Sequence, residues 1–362
     1  MFGLPYSKHD GTQISYLEYW EYRSRIETSR VTSLLHMVAS GDEESVRIRK
    51  LCPMDFKLGF TELISSPITL QQFTRFFYEI CTQSNVYVME RHERATNRRE
   101  LIATATLFIE EKTTHGLCRL AHLENVFVCE KSRGIGCGKT LIHFLIAEAR
   151  SMGCYKIICT STYSLSHYYN AIGFSEPHCV QTKIFRDNFR DIDVFDAGTP
   201  KYKEIRKHLV RMHDSNESTC VIRNIHSRDY DAGFTRLLGS KISREFFEAY
   251  LKHVCGENHI VLVMEDEEGY LVGTCTVVIE RKFTHGLCKF CHMEDLYLDI
   301  NRASHGTHGC LLIQEALNVA RSRECYRVDM ALSDERTLGY YDGIFDQKDL
   351  IQQSILFPEN FV

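Results

Sequence analysis

The chain has 362 residues, 43 Lys and Arg against 48 Asp and Glu, and a formal charge of −5 with a pI near 6.4. That mild acidity gives no reason to expect nucleic acid or an acidic membrane as a general partner. No apolar run of about 18 residues is present and Met1 to Trp20 lacks a signal-peptide core, so a cytoplasmic chain of two or three ordinary domains, without a membrane partner, is expected.

Residues 1–45 carry a helix-prone, aromatic segment around Tyr16 to Met37 and read as an N-terminal helical extension. Residues 46–186 then run as a short strand, a helix pair over 55–83, three strands, a glycine-rich turn, a long helix, a strand, a short helix and a final strand. Residues 187–218, with Gly198-Thr-Pro200 and the polar stretch from Asp214, are expected as an exposed linker. Residues 219–362 repeat the same order, with their helix pair over 229–255.

The repeat is legible residue by residue. Ile102 to Glu110 recurs as Val272 to Glu280, Thr114 to Cys118 recurs unchanged as Thr284 to Cys288, and His122 to Val128 returns as His292 to Leu298. Cys154 to Ile157 returns as Cys325 to Val328, and Ile48-Arg49 through Asp55 to Gly59 parallels Ile222-Arg223 through Asp229 to Gly233. Two homologous domains follow, each with strands and helices around a mixed sheet, which is an α+β class.

The 15 cysteines are scattered through strand and helix patterns and read as small apolar residues in a reducing compartment. Cys288 to His292 fits the spacing of haem attachment, but the earlier copy, Cys118 to His122, lacks the second cysteine, which marks the match as coincidence. No second cysteine pair stands at zinc-ligand spacing, and no metal is expected.

The most informative stretch is Val126 to Thr140, which reads strand, glycine turn and helix start. Leu141, Ile142, Leu145, Ile146 and Ala149 then share one helical face. Unpaired N–H groups at a helix start form an anion site, and glycines at 134, 136 and 138 remove Cβ atoms that would keep a pyrophosphate away. The phosphate loop of nucleotide hydrolases fails because the residue five before Gly138 is Arg133; the dinucleotide fingerprint fails on glycine spacing. Aligned on the helix face, the second copy has Ser304, Thr307 and Gly309 opposite Arg133, Gly136 and Gly138, so it is expected to bind the same ligand weakly or not at all.

Arg133-x-x-Gly136-x-Gly138 directly after a strand resembles the acetyl-CoA site of the Gcn5-related N-acetyltransferase (GNAT) superfamily. Within it, His122 to Val128, Lys131 to Ile142, Gly153 to Ile158 and Tyr168 to Phe174 make the first copy similar to the glucosamine-6-phosphate N-acetyltransferase family. The resemblance covers about 47–186 well and the second copy more loosely. It implies two tandem acyl-CoA N-acyltransferase domains, acetyl-CoA as co-substrate, an aminosugar phosphate as acceptor, and a place in UDP-N-acetylglucosamine synthesis. Because family members are homodimers, it also implies that the tandem chain is an intramolecular pseudo-dimer.

Residue by residue, the resemblance implies that the strand Val126 to Val128 offers a backbone N–H to the thioester carbonyl. Arg133, Gly134, Ile135, Gly136, Cys137, Gly138 and Lys139 would hold the pyrophosphate. Tyr169 falls on the tyrosine that donates to the leaving sulfur, although taken alone it reads as a core aromatic. Glu124 falls on an acidic position that orients the sugar or takes a proton, although next to an apolar strand a solvated or paired carboxylate is the default. Lys183 and Arg186 on the last strand of the first domain are candidates for a sugar phosphate. Two positions depart from the family pattern: Thr160 stands where an acidic residue is usual, and Asn125 where aspartate is usual, while the second copy keeps Asp295. Threonine cannot act as a base near neutral pH. A GNAT enzyme for another small amine, and a catalytically weakened acetyl-CoA-binding regulator, therefore stay open beside the aminosugar enzyme.

Overall fold

The computed structural model describes residues 44–114, 117–184, 210–213, 219–332, 341, 344–345 and 347–356. The expected N-terminal extension and Arg186 lie outside the described residues. The strands are β1 (Glu44–Lys50), β2 (Ser84–Glu93), β3 (Arg98–Glu111), β4 (Arg119–Val128), β5 (Cys154–Thr162), β6 (Ser175–Ile184), β7 (Val210–His213), β8 (Thr219–Asn224), β9 (His259–Glu265), β10 (Leu271–Arg281), β11 (Lys289–Leu298), β12 (Cys325–Leu332) and β13 (Gln347–Leu356). They form one sheet in the order β1-β2-β3-β4-β5-β13-β6-β12-β11-β10-β9-β8-β7. The short β7 lies inside the stretch expected as linker and pairs antiparallel with β8 at the far edge.

The sequence repeat is thus a structural repeat, with β1 to β5 on one side matched by β8 to β12 on the other. The last strands cross over. β13, from the second half, pairs with β5 of the first, and β6, from the first half, pairs with β12 of the second. β6 and β13 also pair with each other, so the sheet is continuous through its middle.

Each half packs one long helix on its sheet. The helices are α1 (Phe60–Leu63), α2 (Leu70–Gln83), α3 (Cys137–Ser151), α4 (Ser166–Asn170), α5 (Phe234–Leu237), α6 (Arg244–His253) and α7 (Cys310–Ser322). Leu141, Ile142, Leu145 and Ala149 of α3 are fully buried against the first half's sheet, as the periodicity predicts, and Ile146 is half-buried. Leu312, Ile313, Ala316, Leu317 and Ala320 of α7 do the same in the second half. Each such Leu or Ile contributes on the order of 1.5–3 kcal/mol by leaving water, enough to retain both helices whatever becomes of the turns before them. The repeated start of each half has its own cause. Arg49 holds buried Asp55 by two 2.7 Å bonds and Arg223 holds buried Asp229 in the same way, bracing the turn before the first helices.

The halves interlock through the loops that follow β3 and β10. Phe283 of the second half enters the first, with its ring centroid 5.1 Å from that of Phe73 and 5.3 Å from that of Phe60. In return, Leu117 of the first half packs with Phe234, Leu238 and Phe247 of the second. Among the described residues, no helix is long and apolar enough to cross a membrane.

Candidate active site

Two features of the first half open a cleft. β4 and β5 run parallel and stay paired from Arg119–Cys154 to Leu123–Cys159, and their pairing stops there. Opposite Thr104 and Thr106 the register of β4 slips, and Asn125 takes a left-handed conformation at φ 50°. This is a β-bulge, and asparagine tolerates the positive φ better than most residues. From Glu124 onward β4 keeps β3 on one side and, among the described residues, pairs with no strand on the other. Val126 to Val128 therefore lie on an edge of β4 that faces the cleft.

The cleft leads into the glycine turn. Gly134 and Gly136 have φ of 79° and 93°, which a side chain would strain. Gly136 is the N-cap of α3, no side chain caps the helix, and the first intrahelical bond runs from Thr140 N–H to the Gly136 carbonyl at 2.9 Å. The N–H groups of Cys137, Gly138 and Lys139 are left facing outward at the positive end of the helix dipole. Arg133, Gly134, Ile135, Gly136 and Lys139 are exposed around them, and Cys137 is buried beneath. Arg91 of β2 donates to the buried Ser132 hydroxyl at 3.0 Å and brings a further cation beside the turn. Sequence spacing could not reveal it, because 41 residues separate the pair.

The equivalent turn of the second half is closed by its own side chains. His305 to Gly309 form a π-turn before α7, and Gly309 has an ordinary helical φ of −62°. The Thr307 N–H donates to Ser304 Oγ at 3.3 Å, and the Ser304 N–H donates to His308 Nδ1 at 3.2 Å. Tyr341 is fully buried over the turn, with its hydroxyl 3.0 Å from where a Cβ on Gly309 would lie.

The two adjacent tyrosines of α4 part company. Tyr169 is buried in the first half's core, its ring edge-on to Phe174 at 5.6 Å and beside Cys159, the point at which β5 leaves β4. Burial pushes its hydroxyl well above the usual phenol range, so it stays a donor. Tyr168 is half-exposed, and its hydroxyl lies 2.9 Å from where a Cβ on Gly138 would be, at the mouth of the turn. The sequence points to Tyr169, and Tyr168 becomes a second candidate only through its place beside Gly138.

The acceptor side is built from both halves. Glu124 Oε2 is ion-paired with Lys282 of β10's loop, and Glu124 Oε1 lies 3.3 Å from His292 Nε2. Lys282 also pairs with Glu280 at 2.8 Å. Burial of Glu124 pushes its carboxyl up, but the Lys282 ammonium holds it below the usual range. That ammonium keeps Glu124 ionised and oriented, the form needed both to hold the acceptor and to take its proton. His122, Glu124 and His292 bring ligand atoms within 4.8 Å of one another, a grouping that could hold an ion, yet the Lys282 ammonium already engages Glu124. Asn125 Oδ1 accepts from the Thr284 hydroxyl at 3.5 Å. Thr160 is exposed on β5 opposite Gln352 of β13, and the backbone of Lys183 pairs with Val328 of β12.

The acetyltransferase (GNAT) domain profile matches residues 82–176. Glucosamine 6-phosphate N-acetyltransferase 1 of Oryza sativa subsp. japonica is 34% identical over 144 residues, covering 38% of this chain and 86% of its own length. The glucosamine 6-phosphate N-acetyltransferase of Arabidopsis thaliana is 31% identical over 147 residues, 39% of this chain and 98% of its own. The crystal structure of an Arabidopsis thaliana glucosamine-6-phosphate N-acetyltransferase is 30% identical, with a TM-score of 0.34 over 36% of this chain and 92% of that one. The chain therefore belongs to the glucosamine 6-phosphate N-acetyltransferase family and is an N-acetyltransferase of the GNAT fold, whose enzymes use acetyl-CoA.

Proposed function

We propose that the first half transfers acetyl from acetyl-CoA to the amine of glucosamine 6-phosphate, and that the second half is a fused partner subunit without a cofactor of its own. The observation that carries this reading is the cleft where β4 leaves β5, running into a glycine turn whose N–H groups no side chain caps. The turn with Arg133 and Lys139 binds the pyrophosphate, and the Val126 to Val128 edge polarises the thioester carbonyl. The neutral amine attacks the carbonyl carbon; the C–N bond forms as the C–S bond breaks. Tyr169, still protonated, donates to the departing thiolate. With Thr160 in place of a carboxylate, the amine proton leaves to water. Lys183 and Arg186 are our candidates for the sugar phosphate, and Asn125, Thr160 and Glu124 for the sugar itself.

The crossing of β6 and β13 supports the fused-dimer reading, because each half finishes the other's sheet. Thr160 favours one alternative, a different small amine as acceptor, since it leaves no acidic side chain at that place on β5. The test is coenzyme A release from acetyl-CoA by the full chain, with and without glucosamine 6-phosphate. Sugar-dependent thiol release supports the aminosugar enzyme; release only with other amines overturns that acceptor.

A further inference from the structure

The second half reaches the first site through one lysine. The loop after β10 is anchored in the first half: Phe283 stacks on Phe73, Ser66 Oγ donates to the Phe283 carbonyl at 2.8 Å, and Arg281 pairs with Glu79 at 2.8 Å. The anchor delivers Lys282, whose side chain is 7% exposed, to Glu124, at the point where β4 leaves β5. Its ammonium also lies 3.8 Å from the Phe290 ring centroid, a cation–π contact that holds it in place.

The same device runs in the other direction with a different outcome. Lys112 of the first half reaches Glu294 at 2.8 Å and Asp295 at 3.3 Å in the second. It divides its charge between two carboxylates of a half whose phosphate turn is closed. Each lysine also pairs with a glutamate of its own half, Lys282 with Glu280 at 2.8 Å and Lys112 with Glu110 at 3.1 Å; Asn125 stands where the second half has Asp295, so across the boundary Lys282 meets one carboxylate, Glu124.

We propose that Lys282 is a positioning residue of the first half's active site, holding Glu124 as an oriented carboxylate toward the ammonium or hydroxyl groups of the acceptor. This rests on the acetyl-transfer reading above, and it gives the silent half a role in the reaction. Lys112 is the internal control, a lysine of matching burial whose partners across the boundary belong to the half with the closed turn.

The test compares Lys282→Met, Lys282→Arg and Lys112→Met in the full chain. With Lys282→Met, kcat/KM for the acceptor is expected to fall about tenfold or more while the KM for acetyl-CoA moves less than about twofold. Lys282→Arg restores most of the loss, and Lys112→Met stays within about twofold of the parent although its thermal midpoint drops comparably. Equal losses in the two Met variants, or acetyl-CoA and acceptor KM rising together, overturn the proposal in favour of packing. A second readout needs no acceptor: the carboxyl carbon of Glu124, labelled with 13C and assigned through Glu124→Gln, is titrated by NMR. Its protonation should move up in pH with Lys282→Met and stay put with Lys112→Met, and no movement overturns the proposal. A parent chain inert toward glucosamine 6-phosphate would sink the proposed acceptor, while this titration would still decide the role of Lys282. Should Lys282→Met not fold, Lys282→Gln, which keeps a donor to Glu124 without the charge, carries the same two readouts.

Discussion

The turn from Arg133 to Lys139 and the turn from Ser304 to Gly309 precede equivalent helices on equivalent strands, yet their N–H groups meet different fates. In the first, glycines at positive φ turn the backbone so that no side chain caps α3. In the second, Ser304 Oγ and His308 Nδ1 take up N–H groups and Tyr341 fills the space above. The helix faces behind both turns are equally buried. Fold is retained through the apolar face of a helix, whereas anion binding depends on backbone donors that a neighbouring hydroxyl or imidazole can satisfy instead. The shape of a domain and its anion site therefore rest on different residues.

The comparison breaks most severely if the halves are separated. A chain ending near residue 200 loses β12 and β13, leaving β5 without its outer neighbour and β6 without either. Such unpaired edges invite association, and size-exclusion chromatography with light scattering should detect dimers or aggregate; a stable active monomer would contradict the interlocked reading.

Next in size is ligand stoichiometry. Calorimetry should find one acetyl-CoA per full chain, and Gly136→Asp should weaken binding by about 100-fold or more through charge and strain at the phosphates. Binding that persists at half the parent's stoichiometry would mean the second turn opens. The tyrosines sharpen the cleft further. Tyr169→Phe should lower kcat by about tenfold with little change in acetyl-CoA affinity, and Tyr168→Phe should do the reverse, weakening acetyl-CoA by about threefold. Loss of both quantities in Tyr169→Phe would assign it to packing.

The smallest effect is a pH dependence at the boundary between the halves. Burial and the adjacent Glu124 charge push the Glu280 carboxyl up to about 8 from an ordinary value of 4.5. A group whose pKa rises on folding contributes stability below its unfolded value and loses it as pH climbs through the folded one. Urea midpoints should therefore carry a decline through this group between pH 4.5 and about 8, and Glu280→Gln should flatten it. An unchanged slope in the variant would mean that Glu280 titrates normally.

Much of the site was legible in the sequence because it is local. The glycines, the helix face and the repeat lie within short windows, and their spacing dictates backbone conformation and which side faces the sheet. Glu124 shows where that ends. Its position was readable, but its chemistry depends on Lys282, 158 residues away, and on His292 across the boundary. That ammonium fixes the charge and the direction of the carboxylate, and position alone gives neither. Tyr168 and Tyr169 make the same point at closer range, since a single step along the helix, about 100°, sends one ring to the turn and the other to the core.

By itself the sequence determined that two α+β domains follow one another, that each carries a long amphipathic helix, and that the first turn favours an anion more than the second. These follow from periodicity and from the conformations glycine permits. Only the tertiary structure decided that β6 and β13 exchange sides and that the second half supplies the partner of Glu124. Strand pairing across a sheet and ion pairing across a buried boundary are contacts between residues far apart in sequence. Their energies depend on which surfaces meet, and no local pattern encodes that.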